Sequence, residues 1–493
     1  MSVHSTDLKN RTIFGILWSA VQRFGVMTLS FISNLILARL LTPDDFGCIG
    51  MLAIFIALSS TLIEGGFASA LVQKSNPTQE DYSTIFYWNL SLAIVLYIII
   101  WFCAPIISSY YEISLLKDLL RLQALVLIIN SLGLVQRARL RKQLYFKKIA
   151  VIDLISSLIA VIMAIASAYH GYGIWSLVIY QLTLSTAQTV GLWIGHHWQP
   201  SWLFDFTSFK SLFKYGGFLL ISDALNTLCD NIQGLIIGKQ FSPAVMGFYS
   251  QAKKIEEIPT TSLSYLVAQV TFPVFSTIKD NPASLLAAHK KCVHATNFIN
   301  IPLMSLLIVI AEPLIVLLFK EKWLPSVPYF QILCVAGLAN CLQSINYQLY
   351  VAMGYSKSMF KWNLVKRSVG LSLILAGAII GVEGILWGMV LGFWLTYFVN
   401  ASLAGQVTKY TLPKQLIDLL PTILVTGISF VVTYYIGNQF NELQHITIMI
   451  LQVIVFIAIY LLLSAIFRIP AVNIYKQIVM DALIEIRNKK HSR

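Results

Sequence analysis

Nine ionisable side chains interrupt long apolar stretches of this 493-residue chain: Arg23, Arg39, Glu64, Asp223, Asp230, Lys239, Lys253, Lys254 and Glu256. In an apolar medium each costs several kcal/mol unless it faces a partner or a wet cavity, so each is a functional candidate. A guanidinium such as Arg23 offers two parallel hydrogen bonds to a phosphate or carboxylate. Asp223 can pair with such a cation or gate its access, and a structural ion pair is the plainer reading of both. Arg39 and Lys239 stand where apolar stretches end, placed to receive an anionic group or to snorkel to an interface. Glu64 and Asp230 can bind a coupling cation or bond a neighbouring helix. In Lys253-Lys254-Ile255-Glu256-Glu257, Lys253 lies one turn from both carboxylates and can pair on one helix face. Such a cluster suits a cavity lining or a solvated helix start.

The elements that position these groups follow from composition. The chain is 57% hydrophobic and 12% charged, with mean hydropathy +0.73. Soluble domains carry about 25% charged residues, so a cytosolic enzyme, a disulfide scaffold and a disordered chain are excluded. About fourteen apolar runs meet the ~20-residue spanning criterion. They fall near 13–38, 46–70, 84–108, 115–136, 149–169, 173–195, 212–238, 244–272, 292–319, 327–352, 360–381, 384–405, 415–437 and 445–467. The net charge of +13 is the positive-inside bias of a membrane protein, not a nucleic-acid footprint. The link from Arg137 to Lys148 holds six cations and no acid. It is expected on the same, cytoplasmic, face as both termini. The polar start MSVHSTDLKNRT has no small-residue cleavage site and reads as a cytoplasmic tail. Residues 471–490, apolar every fourth position, are expected to form a surface helix. Six scattered cysteines give neither disulfide nor metal spacing.

A repeat organises the spans. Ile36-Leu37-Ala38-Arg39-Leu40-Leu41-Thr42-Pro43-Asp44-Asp45-Phe46-Gly47 matches Ile236-Ile237-Gly238-Lys239-Gln240-Phe241-Ser242-Pro243-Ala244-Val245-Met246-Gly247 at a constant offset of 200. Cation, hydroxyl, proline and glycine recur at equivalent places. Six spans separate the copies, so both point the same way through the bilayer. This predicts parallel-repeat halves of a carrier. The expected fold is an all-α polytopic membrane protein of about 14 helices. Residues 1–200 and 201–410 form two six-helix lobes, 411–470 two further helices, and 471–493 a basic amphipathic tail.

The string Leu37-Ala38-Arg39-Leu40-Leu41-Thr42-Pro43-Asp44-Asp45-Phe46-Gly47 resembles the signature after the first helix of polysaccharide-type flippases, in the multidrug/oligosaccharidyl-lipid/polysaccharide exporter superfamily. Gly247-Phe248-Tyr249-Ser250-Gln251-Ala252 is similar to the family's matching turn after helix seven. The resemblance implies alternating-access transfer of an undecaprenyl-diphosphate-linked oligosaccharide across a bacterial inner membrane. The product would feed capsule, O-antigen or exopolysaccharide synthesis, with membrane lipid and a polysaccharide polymerase as partners. It implies that Arg23, Arg39, Asp223, Lys239, Lys253, Lys254 and Glu256 bind substrate and that Glu64 and Asp230 couple an ion. The basic link would gather the diphosphate, and Trp18, Tyr215, Tyr249 and Tyr347 would stack on sugars. A multidrug antiporter of the same superfamily is the alternative, though its cleft should be more acidic. No phosphate-cradling loop or hydrolase motif occurs, and no link is long enough for an enzyme's catalytic domain. No cofactor or metal is expected.

Overall fold

A computed structural model describes residues 2–74, 76–195, 197–440, 444–477 and 480. Among these every regular element is helical: α1 (Ser2–Leu40), α2 (Pro43–Glu64), α3 (Phe67–Gln73), α4 (Gln79–Tyr111), α5 (Leu115–Gln123), α6 (Leu125–Lys142), α7 (Phe146–Tyr169), α8 (Trp175–Gly195), α9 (Phe206–Gln240), α10 (Pro243–Ile278), α11 (Pro282–Val309), α12 (Ala311–Phe319), a 3₁₀ turn at Glu321–Ser326, α13 (Val327–Ala352), α14 (Ser356–Ala378), α15 (Val382–Thr408), α16 (Leu412–Gln439) and α17 (His445–Ile466). Eleven helical stretches among the described residues are long and apolar enough to cross a membrane. α9, α10 and α14 have the length, at 35, 36 and 23 residues. They are less apolar than the other eleven: α9 and α14 carry charges such as Asp223 and Lys366, and α10 carries Pro, Ser, Thr and Gln beside its Lys253–Glu257 cluster. Much of the expected surface helix at 471–490 and of the basic tail lies outside the described residues.

Three spans differ from the sequence reading for local reasons. The 46–70 run breaks after Glu64, because Gly65 and Gly66 take positive φ (31° and 72°) and α3 starts afresh. The 115–136 run is two helices that part at Ala124. The second continues to Lys142 and α7 begins at Phe146, so all six cations of the supposed basic link are helical residues. The 292–319 run begins earlier, at Pro282, and divides at Ile310.

The chain forms two compact units, Met1–Ser250 and Gln251–Arg493. In the first, α1 packs on α7, α7 on α8, α6 on α4 and α8, and α2 on α9. Both copies of the repeated turn lie here. Thr42 caps α2 with a reciprocal box: its hydroxyl accepts from Asp45 N, and its own N–H donates to the Asp45 carboxylate at 2.8 Å. Proline follows at the first helical position, where its missing N–H costs nothing. Ser242 caps α10 through Val245 N at 3.4 Å, without the acidic partner. The turns press together reciprocally. A Cβ on Gly47 would sit 1.8 Å from Pro243 O, and one on Gly247 would sit 2.0 Å from Pro43 O. The glycines recur at the same offset because backbone meets backbone at both places.

The second unit is centred on α13, which packs against α11 and α15. Its apolar core includes Phe275, Leu342, Ile345, Leu349, Tyr397 and Ala401. A buried polar seam crosses it. His289 meets Thr408 Oγ1 at 3.1 Å and Asn346 Oδ1 at 3.0 Å, and Asn346 and Gln415 exchange two amide hydrogen bonds of 3.2 Å. Tyr410, in the link before α16, donates to Asp418 at 2.8 Å. Burial, then that carboxylate, raises the phenol's pKa.

Gly47→Ala forces two backbones apart and is expected to lower the melting temperature of the purified chain by an amount matching about 1–3 kcal/mol of overpacking. Gly427→Ala, where nothing lies within 4 Å, is the control and should not lower it. Equal melting temperatures for the two variants would show that the turns do not need their glycines.

Candidate functional site

The first unit holds a partly open cavity of 560 Å³ lined by both polar and apolar groups. α6 supplies one wall with Leu127, Asn130, Leu134, Arg137 and Arg141, which recur every three or four residues and so share one face. α2 contributes Ser60, Ile63 and Glu64, α3 Val72 and Gln73, and α8 Gln188, Thr189 and Leu192. Glu64 reaches the cavity because it is the last residue of α2, where the left-handed Gly65 ends the helix. Its charged neighbours are Arg137 and Arg141.

The cations are held, not loose. Arg137 forms a two-pronged pair with Asp153 of α7, at 2.9 and 2.7 Å, and Gln22 of α1 donates to the same carboxylate. Asp153 is 3% exposed, so this pair replaces the hydration of both ions. Arg139 lies over the rings of Tyr82 (4.9 Å) and Trp198 (5.5 Å). Lys142 donates to the carbonyls of Leu71, Val72 and Lys74, and so satisfies the free end of α3. Lys74 in turn pairs with Asp81, at 2.8 and 2.7 Å, whose carboxylate also caps α4. These cations are spent on structure, so the expectation of a basic link free to gather an anion does not fit their geometry. Arg141, four residues further along α6, lines the cavity with Glu64, and Arg137 and Asp153 lie within its field.

Two cations and two carboxylates thus balance. With the amides of Gln73, Asn130 and Gln188 and three hydroxyls, the lining suits a hydroxyl-rich ligand better than a bare polyanion. Arg137 and Arg141 were legible as charges but not as a site. The signal was their spacing of four, continuing the face of Asn130 and Leu134.

Six of the nine predicted residues lie in the first unit and three in the second. Arg23 is half-buried in α1, one residue from Gln22. Arg39 is exposed in the last turn of α1. Lys239, its counterpart in α9, donates to Tyr110 O at 2.6 Å, meets Glu112 at 3.1 Å and lies 4.9 Å over the Tyr110 ring. It is therefore a clamp on the end of α4. Asp223 and Asp230 are exposed on α9, and Glu64 alone of the nine lines the cavity. In the second unit Lys253 pairs with Glu257 at 3.8 Å. Lys254 is exposed. Glu256 is buried, accepts from Thr260 at 2.5 Å, and lies where a Cβ on Gly337 would come within 2.7 Å of its Oε1. Tyr249 is 3% exposed and cannot stack on a sugar. Trp18 lies beneath Lys147 at 5.6 Å, Tyr347 is partly exposed, and the Tyr215 side chain lies outside the described residues. Among the described residues no group of acidic, histidine and cysteine side chains could hold a metal.

Asp153→Asn takes the paired carboxylate from the half-buried Arg137 guanidinium and should lower the melting temperature of the chain. The apolar pair Arg137→Met with Asp153→Leu should recover most of that loss in a thermal melt. Failure of the pair to recover it would show that Asp153 does more than answer Arg137.

Comparison with known proteins bears on this architecture. A family model described as polysaccharide biosynthesis protein matches residues 36–328. TuaB of Bacillus subtilis (strain 168), a teichuronic acid biosynthesis protein, is 24% identical over 431 residues, covering 87% of this chain and 89% of TuaB. The lipopolysaccharide biosynthesis protein WzxC of Escherichia coli (strain K12) is 25% identical over 401 residues, covering 81% of each chain. The solved structure of the lipid II flippase MurJ, in an inward closed conformation, superposes with a TM-score of 0.77. It covers 92% of this chain and 98% of MurJ at 17% identity, a likeness of fold. The chain therefore belongs to the polysaccharide biosynthesis protein family, as a multi-pass membrane protein with the fold of the multidrug/oligosaccharidyl-lipid/polysaccharide exporters.

Proposed function

We propose that the chain is a flippase that carries an undecaprenyl-diphosphate-linked oligosaccharide across the bacterial inner membrane for surface polysaccharide synthesis. The family membership supports the class of task. The observation that carries the reading to this chain is the 560 Å³ cavity, lined by amides, hydroxyls, Glu64 and Arg141 in an otherwise apolar helical unit. A sugar crossing hydrocarbon must exchange its water for protein groups of this kind. The headgroup enters the cavity while the polyprenyl tail stays in lipid. Fourteen spans, with lobes at 1–200 and 201–410 related by a parallel repeat, helices over 411–470 and a tail at 471–493, accommodate such a cycle by alternating access. Both termini then face the cytoplasm, and a polymerase takes the product.

Within this reading, Arg23 meets the diphosphate with its two-pronged fork, and Asp223 restrains it. Arg39 and Lys239 stand at the outer ends of their helices. Release of Lys239 from Glu112 frees a cation for the departing headgroup. The Lys253, Lys254 and Glu256 group serves the second unit in the same way, and Glu64 and Asp230 answer a coupling cation.

The test is complementation of a deletion strain. Deletion should abolish the surface glycan. Arg141→Ala and Glu64→Ala should each restore less than about a tenth of it, a loss worth 1.4 kcal/mol or more at the rate-limiting step, with normal amounts of protein in the membrane. The exchange Glu64→Arg with Arg141→Glu keeps the cavity's charge balance and should restore more glycan than either single variant. Full glycan with both single variants would remove the cavity from the transport path.

A further inference from the structure

Lys366 is a buried ionisable group that neither the cavity nor the repeat uses. It stands ten residues beyond the start of α14, about 15 Å along the helix. It is 5% exposed, so protein covers it and it does not snorkel. Further along α14, its backbone meets that of α15 closely. A Cβ on Gly384 would fall 2.3 Å from Gly377 O, and one on Gly388 would fall 2.5 Å from Leu373 O. An ammonium has three donors and no acceptor. Among the described residues, Lys366 Nζ donates to one acceptor, Asn400 Oδ1 of α15, at 2.6 Å. The Asn400 amide donates to Gln343 O of α13 at 3.4 Å, and the Gln343 side chain donates to Asn340 Oδ1 at 2.7 Å. Neutral amides, not carboxylates, receive the lysine.

Among the described residues of the helices packed on α14, no counter-charge stands near. α14 packs on α15 and α13. α13 carries no Asp, Glu, Lys or Arg, and α14 carries only the cations Lys357, Lys361, Lys366 and Arg367. The one acid of α15 is Glu383 in its first turn, about 25 Å along the helix from Asn400. The other titratable groups on these helices are Tyr329, Cys334, Cys341, Tyr347 and Tyr350 of α13 and Tyr397 of α15, all neutral when protonated. The charge whose field reaches Lys366 is Arg367, of the same sign. A buried ammonium without an anion is costly, and an amine has a way out that a guanidinium lacks: it can release its proton. The hydrogen bond to Asn400 Oδ1 survives that step, since –NH₂ still donates. Both forms can therefore donate to Asn400, and they differ by one unit of charge.

We propose that Lys366 is a proton-binding site that couples glycolipid transfer to the proton gradient. The amine takes a proton from hydronium on one side of the membrane, forming –NH₃⁺ and water, and returns it to water on the other. The charged form needs a wetter setting than the closely packed α14–α15 seam provides, so proton uptake favours a rearrangement of that seam. This inference rests on the flippase reading.

The experiment uses the purified full chain in proteoliposomes, with a fluorescent undecaprenyl-diphosphate-linked oligosaccharide and the membrane potential clamped at zero by potassium and valinomycin. For each protein, the ratio of transfer rates with and without a pH gradient is read. Wild type should show a ratio of several-fold. Lys366→Met, never charged, and Lys366→Arg, never deprotonated, should both show a ratio near one. A wild-type ratio of one, or variants that keep the wild-type ratio, would overturn the proton site. Wild type that transfers no glycolipid under either condition would overturn the flippase reading itself, a distinguishable outcome.

Discussion

Hydrocarbon offers a charge no solvent, so every ion held at membrane depth must be answered by another group of the protein. That constraint orders the first unit. Asp153 exists for Arg137 and draws in Gln22, which ties α1 and α7 to α6. Lys142 answers the end of α3, and Lys74 answers Asp81. With these pairs closed, α6 is fixed in rotation and presents Asn130, Leu134, Arg137 and Arg141 to one cavity. The cavity holds polar groups because its helices are placed by ion pairs beneath it, and it remains charge-balanced because each guanidinium has a carboxylate within reach.

A second constraint acts at the repeated turns. Two helices that start with hydroxyl-Pro and carry glycine four residues later can meet backbone to backbone, and here they do so reciprocally. Such contact is driven by packing alone, since lipid supplies no hydrophobic force between helices. The same device, glycine against a facing carbonyl, joins α14 to α15 in the second unit. Lys366 stands earlier on α14, covered by protein, and must find neutral partners or change its protonation.

Much of the fold was legible because hydropathy is a one-dimensional signal. The long helices fall close to the expected runs, and the turns at Thr42-Pro43 and Ser242-Pro243 lie where their chemistry placed them. The misreadings came from features that hydropathy averages away. Gly65-Gly66 cut a continuous apolar run, and Arg137–Lys142 looked like a link because charge was taken to end a helix. Partners on α3, α4 and α7 let the helix run on. The site was less legible, for a physical reason: a cavity is made by side chains from four helices, and their distances are not in the sequence. Glu64 was found because an acid before two glycines is conspicuous. Arg141 was hidden among six cations, and Lys366 among the charges of a helix start.

The account depends on the chain moving a glycolipid headgroup from the cytoplasmic to the outer leaflet. The most direct measurement is the leaflet position of lipid-linked glycan in cells lacking the protein, read with membrane-impermeant periodate on inverted and right-side-out vesicles. The account predicts that the glycan accumulates and is oxidised only in inverted vesicles, where the cytoplasmic face is outermost. Glycan oxidised equally in both, or no accumulated lipid-linked glycan, would contradict it.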